Sequence, residues 1–208
     1  MIPIAREGWP FILVPLSLAV ILWVVGWHGS SVTTCVLAVL VALFFRDPAR
    51  DIPKGEGLIL APADGTVVQV TQYLGRELQE SATQISIFLS VFDVHINRAP
   101  FPAVVGKVEY RPGTFRLAWQ SEASAENEQN LITLKAPEGQ LLVKQIAGFI
   151  ARRIVCRVVP GQKLDAGERI GMIRFGSRVD LIVPARAELL VKRGDRVYGG
   201  TSVMGTLR

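Results

Sequence analysis

The Gly176-Ser177 pair interrupts a strand-like pattern at a place where the chain could cut itself. Glycine lets the backbone strain and lets a neighbouring side chain approach its carbonyl carbon. The Ser177 hydroxyl could attack that carbonyl in an N→O acyl shift, and the resulting ester could eliminate and hydrolyse to a pyruvoyl cap. The same pair also fits an ordinary β-bulge with an exposed serine, and the chain contains a second such pair at Gly29-Ser30.

Such a serine needs a base, because its hydroxyl is a poor nucleophile until one lies within hydrogen-bond reach. The chain has two histidines, His28 and His95, so an imidazole that shuttles protons near neutral pH must be one of them. His28 falls in an apolar region and is expected to be an interfacial polar residue. His95 follows a predicted strand, where either a structural or a functional role is open. Asp64, in Ala-Asp-Gly-Thr, is by itself typical of a turn.

The N-terminal segment predicts a membrane-anchoring helical hairpin over residues 1–52. Residues 9–27 and 32–45 carry no charge, and as helices they would reach about 28 and about 21 Å, so the first matches the hydrocarbon thickness of a bilayer. A tight turn is expected at 27–31. Basic residues flank both ends of the hairpin and are absent from this turn, which places the downstream domain in the cytoplasm. The alternative is a secretory signal peptide, whose apolar region would be shorter.

Charge and motif content restrict the partners. The net charge of +5 favours an anionic partner, and the apolar N-terminus favours a membrane over nucleic acid. The sequence has no P-loop, dinucleotide fingerprint or His/Cys cluster, so neither a metal nor an external cofactor is expected.

Residues 53–208 predict a mostly β domain, an antiparallel sandwich or barrel. Short β-branched runs are bounded by turn residues, and the best helical candidate is 145–153. A repeat relates 161–170 to 194–203, each with glycines six residues apart that suit tight hairpins with positive φ. Such units resemble those of lipoyl- and biotinyl-type hybrid barrels. The predicted strands are 58–60, 66–70, 85–89, 131–134, 154–159 and 181–183.

Five motifs in order resemble the short form of phosphatidylserine decarboxylase proenzymes, the type that also includes archaeal archaetidylserine decarboxylases. The resemblance covers most of the chain, from the apolar hairpin to the C-terminus. The motifs are Phe44-Phe45-Arg46-Asp47-Pro48, Ala61-Pro62-Ala63-Asp64-Gly65-Thr66-Val67, Phe92-Asp93-Val94-His95-Ile96-Asn97-Arg98-Ala99-Pro100, Glu126-Asn127-Glu128-Gln129-Asn130 and Phe175-Gly176-Ser177-Arg178-Val179-Asp180.

The resemblance implies a role for each matched site residue. Ser177 would be the self-cleavage nucleophile and the residue converted to pyruvoyl, and Gly176 would end the larger chain. The products would be a large chain 1–176 and a small chain 177–208. His95 would take the hydroxyl proton, and Asp64 would orient and charge-stabilise its imidazole. The 126–130 segment would lie near the active site, although a solvated surface loop is equally open.

The implied reaction converts phosphatidylserine to phosphatidylethanolamine and CO₂ through a Schiff base with the pyruvoyl group. Longer bacterial members of the family carry a further histidine at the position of Phe92, so whether His95 or a bound water protonates the product stays open, as do the lipid tails and the oligomeric state. One alternative is a membrane-anchored, non-catalytic adaptor or carrier built on the hybrid-barrel repeats. Another is a decarboxylase-like protein that never matures.

Overall fold

A computed structural model describes residues 3–73, 77–78, 80–114, 126–148, 153–174 and 177–207. The chain divides into two compact units, Met1–Ala49 and Arg50–Arg208.

The first unit is a helical hairpin. After a 3₁₀ turn at Arg6–Gly8, helix α1 spans Trp9–Val24 and helix α2 spans His28–Phe44. The hydroxyl of Ser31 donates a hydrogen bond of 2.6 Å from α2 to the carbonyl of Ala19 in α1. The predicted helical hairpin is therefore confirmed.

The position of its turn was predicted too late in the sequence. The chain reverses at residues 25–27, and His28 already begins α2. Gly26 adopts a left-handed φ of 87°, a conformation that glycine takes at little cost. The reversal therefore occurs at Gly26, and Gly29 lies in the first turn of the next helix.

The two helices of the hairpin differ in length. Among the described residues, one continuous helical stretch, Arg6–Val24, is long and apolar enough to cross a membrane, and α2 is shorter. Most large side chains of both helices are exposed, as in Val14, Val24 and Leu40.

The second unit is built from three antiparallel sheets, which confirms the mostly β prediction. The strands are β1 Leu58–Leu60, β2 Gly65–Tyr73, β3 Ala82–Leu89, β4 Ile96–Arg98, β5 Ala103–Arg111, β6 Gln129–Ala136, β7 Gly139–Ala147, β8 Ile154–Cys156, β9 Lys163–Leu164, β10 Arg169–Ile173, β11 Ser177–Pro184, β12 Glu188–Leu189, β13 Arg196–Val197 and β14 Val203–Thr206. Every predicted strand overlaps an observed one. The largest sheet has the order β13-β2-β3-β11-β7-β6-β5-β9, and the two small ones are β1-β14-β12 and β4-β10-β8.

The helical candidate at 145–153 was wrong over its described beginning. Residues Gln145, Ile146 and Ala147 end strand β7, where the first two pair with both β6 and β11 and Ala147 pairs with β11. Residues 149–152 lie outside the described part of the chain. Two flanking strands satisfy the backbone groups of this segment, and that pairing overrides a short helical pattern.

The repeat corresponds to two similar pairs of glycine turns, and the two strands on either side of each second glycine, β9 and β10 or β13 and β14, belong to different sheets. Gly161, Gly167, Gly194 and Gly200 all have φ between 79° and 97°, as their spacing predicted. The amide of Gly161 donates a hydrogen bond to the carbonyl of Val105 in β5. In the same way, the amide of Gly194 donates to the carbonyl of Val67 in β2. The positive φ of these glycines is confirmed, the predicted hairpins are not, and a likeness to lipoyl or biotinyl units stays a prediction.

Strand β11 separates two environments. Val179, Leu181 and Val183 point into the main hydrophobic core, which lies on one face of the large sheet. Ile182 joins a second, smaller apolar cluster, so the alternating residues of β11 face the opposite side.

Candidate active site

Ser177 is the first residue of β11 and lies between Leu89 of β3 and Ala147 of β7. It is fully buried, and the alternation along β11 turns its side chain toward the main core. Its Oγ has no hydrogen-bond partner among the described residues. The alternative of an exposed bulge serine is therefore excluded, and the hydroxyl is buried at a cost of about 1–3 kcal/mol.

His95 is also fully buried. Its Nδ1 lies 2.9 Å from the carbonyl oxygen of Asp93. A carbonyl oxygen can only accept, so Nδ1 carries the proton in the neutral ring and the lone pair lies on Nε2. The backbone carbonyl of His95 accepts a hydrogen bond from Ile173, four residues before Ser177.

A second contact relates the His95 segment to the large sheet. The Oδ1 of Asn97 accepts a 2.9 Å hydrogen bond from Nε2 of Gln145, and Gln145 pairs with Val179. Val179 lies about 7 Å along β11 from Ser177. His95 lies directly before β4 and two residues before Asn97, so these two contacts bring the His95 segment toward the end of the large sheet where Ser177 begins.

Asp64 lies at the same end of the large sheet. Strand β3 lies between β2 and β11, and its residue Phe88 pairs with Thr66 on one side and with Arg178 on the other. The start of β2 therefore lies beside the start of β11, at a distance of two strand spacings or about 10 Å. The Asp64 carboxylate accepts hydrogen bonds from Nη2 of Arg50 at 2.7 and 3.0 Å and from the amide of Gly199 at 2.8 Å. Arg50 and Gly199 therefore fix the Asp64 carboxylate, and the carbonyl of Asp93 fixes Nδ1 of His95. The predicted action of Asp64 on the imidazole of His95 stays a prediction. Gly176 lies outside the described residues.

An amide relay next to the serine was missed by the sequence reasoning. The Nδ2 of Asn130 donates to Oε1 of Gln145 at 3.0 Å, and Gln145 in turn donates to Asn97. All three side chains are buried. The Nδ2 of Asn97 has no hydrogen-bond partner in the described part of the chain, so this buried amide could donate a hydrogen bond to a bound molecule. The available signal was Gln145 itself, a polar residue in an apolar strand.

The 126–130 motif directly supports the neighbour of Ser177. Asn127 Nδ2 donates to the carbonyl of Ala147 at 2.7 Å, and the amide of Ala147 donates to the carbonyl of Glu128 at 2.9 Å. The surface-loop interpretation of this motif was wrong for its last two residues, since Gln129 and Asn130 begin β6.

The other face of β11 carries a buried ion pair. The Nε of Arg178 lies 2.7 Å from Oδ1 of Asp180, and both side chains are buried. Arg178 also donates to Ser86 at 2.6 Å and to Gln69 at 3.2 Å. The residue that follows the serine is therefore tied to two further strands.

The loop between β3 and β4 is held by Asp93. Its carboxylate accepts hydrogen bonds from the amide and hydroxyl of Ser90, at 2.7 and 2.8 Å, and from Arg196. Burial raises the pKa of Asp93, but the bonds from Arg196 and Ser90 outweigh it and hold the pKa below its ordinary value.

Comparison with known proteins identifies the family. The family model described as phosphatidylserine decarboxylase matches residues 37–205. Proteins named phosphatidylserine decarboxylase proenzyme are similar over nearly the whole chain. The protein from Symbiobacterium thermophilum is 46% identical, covering 98% of this chain and 95% of the relative. Those from Magnetococcus marinus and Burkholderia cenocepacia are 42% identical, covering 99% and 98% of this chain and 95% and 96% of the relatives.

The chain belongs to the phosphatidylserine decarboxylase family. The resemblance drawn from the five motifs is confirmed, and the length of 208 residues fits the short branch of the family. As a member, the chain is a decarboxylase proenzyme, a carboxy-lyase. The non-catalytic adaptor or carrier is therefore the poorer interpretation.

Proposed function

We propose that this protein is a membrane-anchored proenzyme that cuts itself between Gly176 and Ser177 and then converts phosphatidylserine to phosphatidylethanolamine and CO₂. The observation that carries the proposal is the buried Ser177 hydroxyl. It has no partner among the described residues, and the amide of Ile173, four residues before it, donates to the carbonyl of His95. Family membership supplies the reaction class.

The first step is an acyl shift within the chain. Nε2 of His95 takes the proton from Oγ of Ser177, and Oγ attacks the carbonyl carbon of Gly176. A C–O bond forms, the C–N bond to Ser177 breaks, and the amine that is released takes up the proton. The Asp93 carbonyl supports this role because it keeps the lone pair of His95 on Nε2.

The second step releases the two chains. Elimination removes a proton from the α-carbon of residue 177 and expels the Gly176 carboxylate, which leaves a dehydroalanine at residue 177. Water then adds and ammonia departs, so that residue 177 ends as a pyruvoyl group. The products are the chains 1–176 and 177–208.

The residues present fit a pyruvoyl group at position 177. Its precursor hydroxyl is buried and unbonded in the described structure, and the ladders to Leu89 and Ala147 would hold the new chain end in place. The group would supply a ketone for the amine of the head group and an acceptor for the electron pair left by CO₂. His95 would remain in place to hold or move a proton, and Asp64 would charge-stabilise its imidazole, as the resemblance implies.

The helical hairpin supports the membrane assignment. Arg6–Val24 is long and apolar enough to cross a bilayer, and the described turn at 25–27 carries no charge. Arg6 and Arg46 lie at the two open ends of the hairpin. By the positive-inside rule, both ends and the catalytic unit lie on the cytoplasmic side.

The mass of the purified full-length chain tests the proposal. We expect two chains, the smaller comprising residues 177–208 with a blocked N-terminus, and release of CO₂ from phosphatidylserine. Ser177→Ala should give one uncut chain without activity. Ser81→Ala, at an exposed serine, is the matched control and should still be cut. An uncut wild-type chain, or continued cutting in Ser177→Ala, would overturn the assignment.

A further inference from the structure

The loop that follows β3 exposes two adjacent apolar side chains. Val91 is 45% exposed and Phe92 is 82% exposed, the highest value among the exposed large hydrophobic side chains in the described part of the chain. Isolated exposed apolar residues are common on soluble surfaces. The position of this loop and the residues around it set this pair apart.

The exposed pair lies on a fixed support. Asp93, immediately after Phe92, is buried and accepts hydrogen bonds from Ser90 on one side and Arg196 on the other. The loop therefore presents Val91 and Phe92 from a bonded turn whose two ends are tied to the sheet.

The neighbouring side chains have the composition of a membrane interface. Arg196, which binds Asp93, lies with its guanidinium carbon 5.8 Å from the ring centre of Tyr198, and both side chains are about half exposed. Tyrosine is enriched at the head-group level of membranes, and arginine is attracted to anionic lipids. The apolar tip, the tyrosine and the arginine thus form one mixed surface.

This surface adjoins the reacting residue. Leu89 pairs directly with Ser177, and the loop begins at the next residue. A lipid whose head group must reach a buried Ser177 keeps its acyl tails in the bilayer only if the protein surface beside the site touches that bilayer.

We propose that residues 90–93 are a bilayer-inserting tip. Val91 and Phe92 enter the lipid surface, and Arg196 and Tyr198 lie at the head groups, so that the head group passes to Ser177 while its tails stay in the membrane. This inference rests on the proposed function, and it specifies how that site meets its substrate.

A substrate comparison tests the tip in the full-length, self-cleaved enzyme. CO₂ release is measured from phosphatidylserine in phosphatidylcholine vesicles and from a dispersed short-chain phosphatidylserine. For Phe92→Ser we expect the ratio of vesicle rate to dispersed rate to fall about tenfold, the effect of losing one buried aromatic contact. The control is Val159→Ser, 63% exposed and next to β9 at the far end of the strand order. Its ratio should not change. An unchanged ratio in Phe92→Ser would refute the proposal that Phe92 inserts into the bilayer.

An optical measurement keeps the tip separate from the chemistry. Full-length chains with Cys35→Ser and Cys156→Ser carry Phe92→Cys or Val159→Cys, labelled with an environment-sensitive dye. Vesicles of phosphatidylcholine and phosphatidylglycerol contain lipid-borne quenchers. We expect a blue shift and quenching at position 92 and neither at position 159. Equal signals at both positions would refute insertion. If the wild type released no CO₂ from either substrate, the proposed function would be refuted. The dye measurement would then still show whether position 92 enters the bilayer.

Discussion

Replacing Arg178 with Met tests how the strand that begins with the reacting serine is held. Arg178 is buried, binds Asp180 at 2.7 Å and donates to Ser86 and Gln69. Methionine fills much of the same volume but leaves the Asp180 carboxylate buried without its guanidinium partner. The change therefore removes one member of a buried pair and causes little loss of packing.

The expected cost is large. Removing one partner of a buried ion pair destabilises a protein by about 3–5 kcal/mol, which lowers the ratio of folded to unfolded molecules by more than about a hundredfold. The double variant Arg178→Met with Asp180→Leu should recover much of this loss, because no uncompensated charge remains buried. Arg186→Met is the matched control. Its ion pair with Glu80 has a similar length of 2.6 Å but is about half exposed, so it should cost at most about 1 kcal/mol.

The assay is urea unfolding of the uncut Ser177→Ala chain in detergent, followed by the far-ultraviolet circular dichroism of the β unit. Using the uncut chain keeps the comparison within a single polypeptide. The reasoning is refuted if Arg178→Met costs no more than Arg186→Met. It is also refuted if the double variant is less stable than Arg178→Met alone.

Three further results are expected. His95→Gln should slow self-cleavage by about 10²–10⁴-fold, the usual contribution of a general base, measured as the decay of the uncut chain; an unchanged rate would exclude His95 as the base. Gly171→Ala should destabilise the fold by about 1–3 kcal/mol in the same urea assay, because a Cβ there would lie 2.2 Å from the carbonyl oxygen of Val155 and 2.8 Å from Nε2 of Gln145. The control is Gly29→Ala, whose Cβ would meet no atom within 4 Å and which should leave the stability unchanged. Burial raises the pKa of Glu77, but hydrogen bonds from Tyr73 and Arg111 outweigh it and lower the pKa from 4.5 to about 2. The stability from this group is complete above pH 4.5 and is lost as the pH falls through 2, so Glu77→Gln should flatten the pH dependence of unfolding over that range, and an unchanged slope would contradict it.

Local features of the sequence were enough to predict several parts of this protein. The uncharged runs predicted the helical hairpin, because a helix in lipid must be apolar over its whole length. The glycines at 161, 167, 194 and 200 predicted turns with positive φ, because this conformation is costly for residues that have a Cβ. The ordered motifs identified the family and pointed to Ser177. In each case the information lies within a few consecutive residues or in their spacing.

Tertiary structure decided which of these residues meet. Gln145 ends a strand because β6 and β11 flank it, and its amide joins Asn97 to Asn130. Nδ1 of His95 is held by the carbonyl of Asp93, and the Asp64 carboxylate is bound by Arg50 and Gly199. These contacts depend on which strands pair and in what register, and pairing joins residues far apart in the chain. No local pattern could specify them.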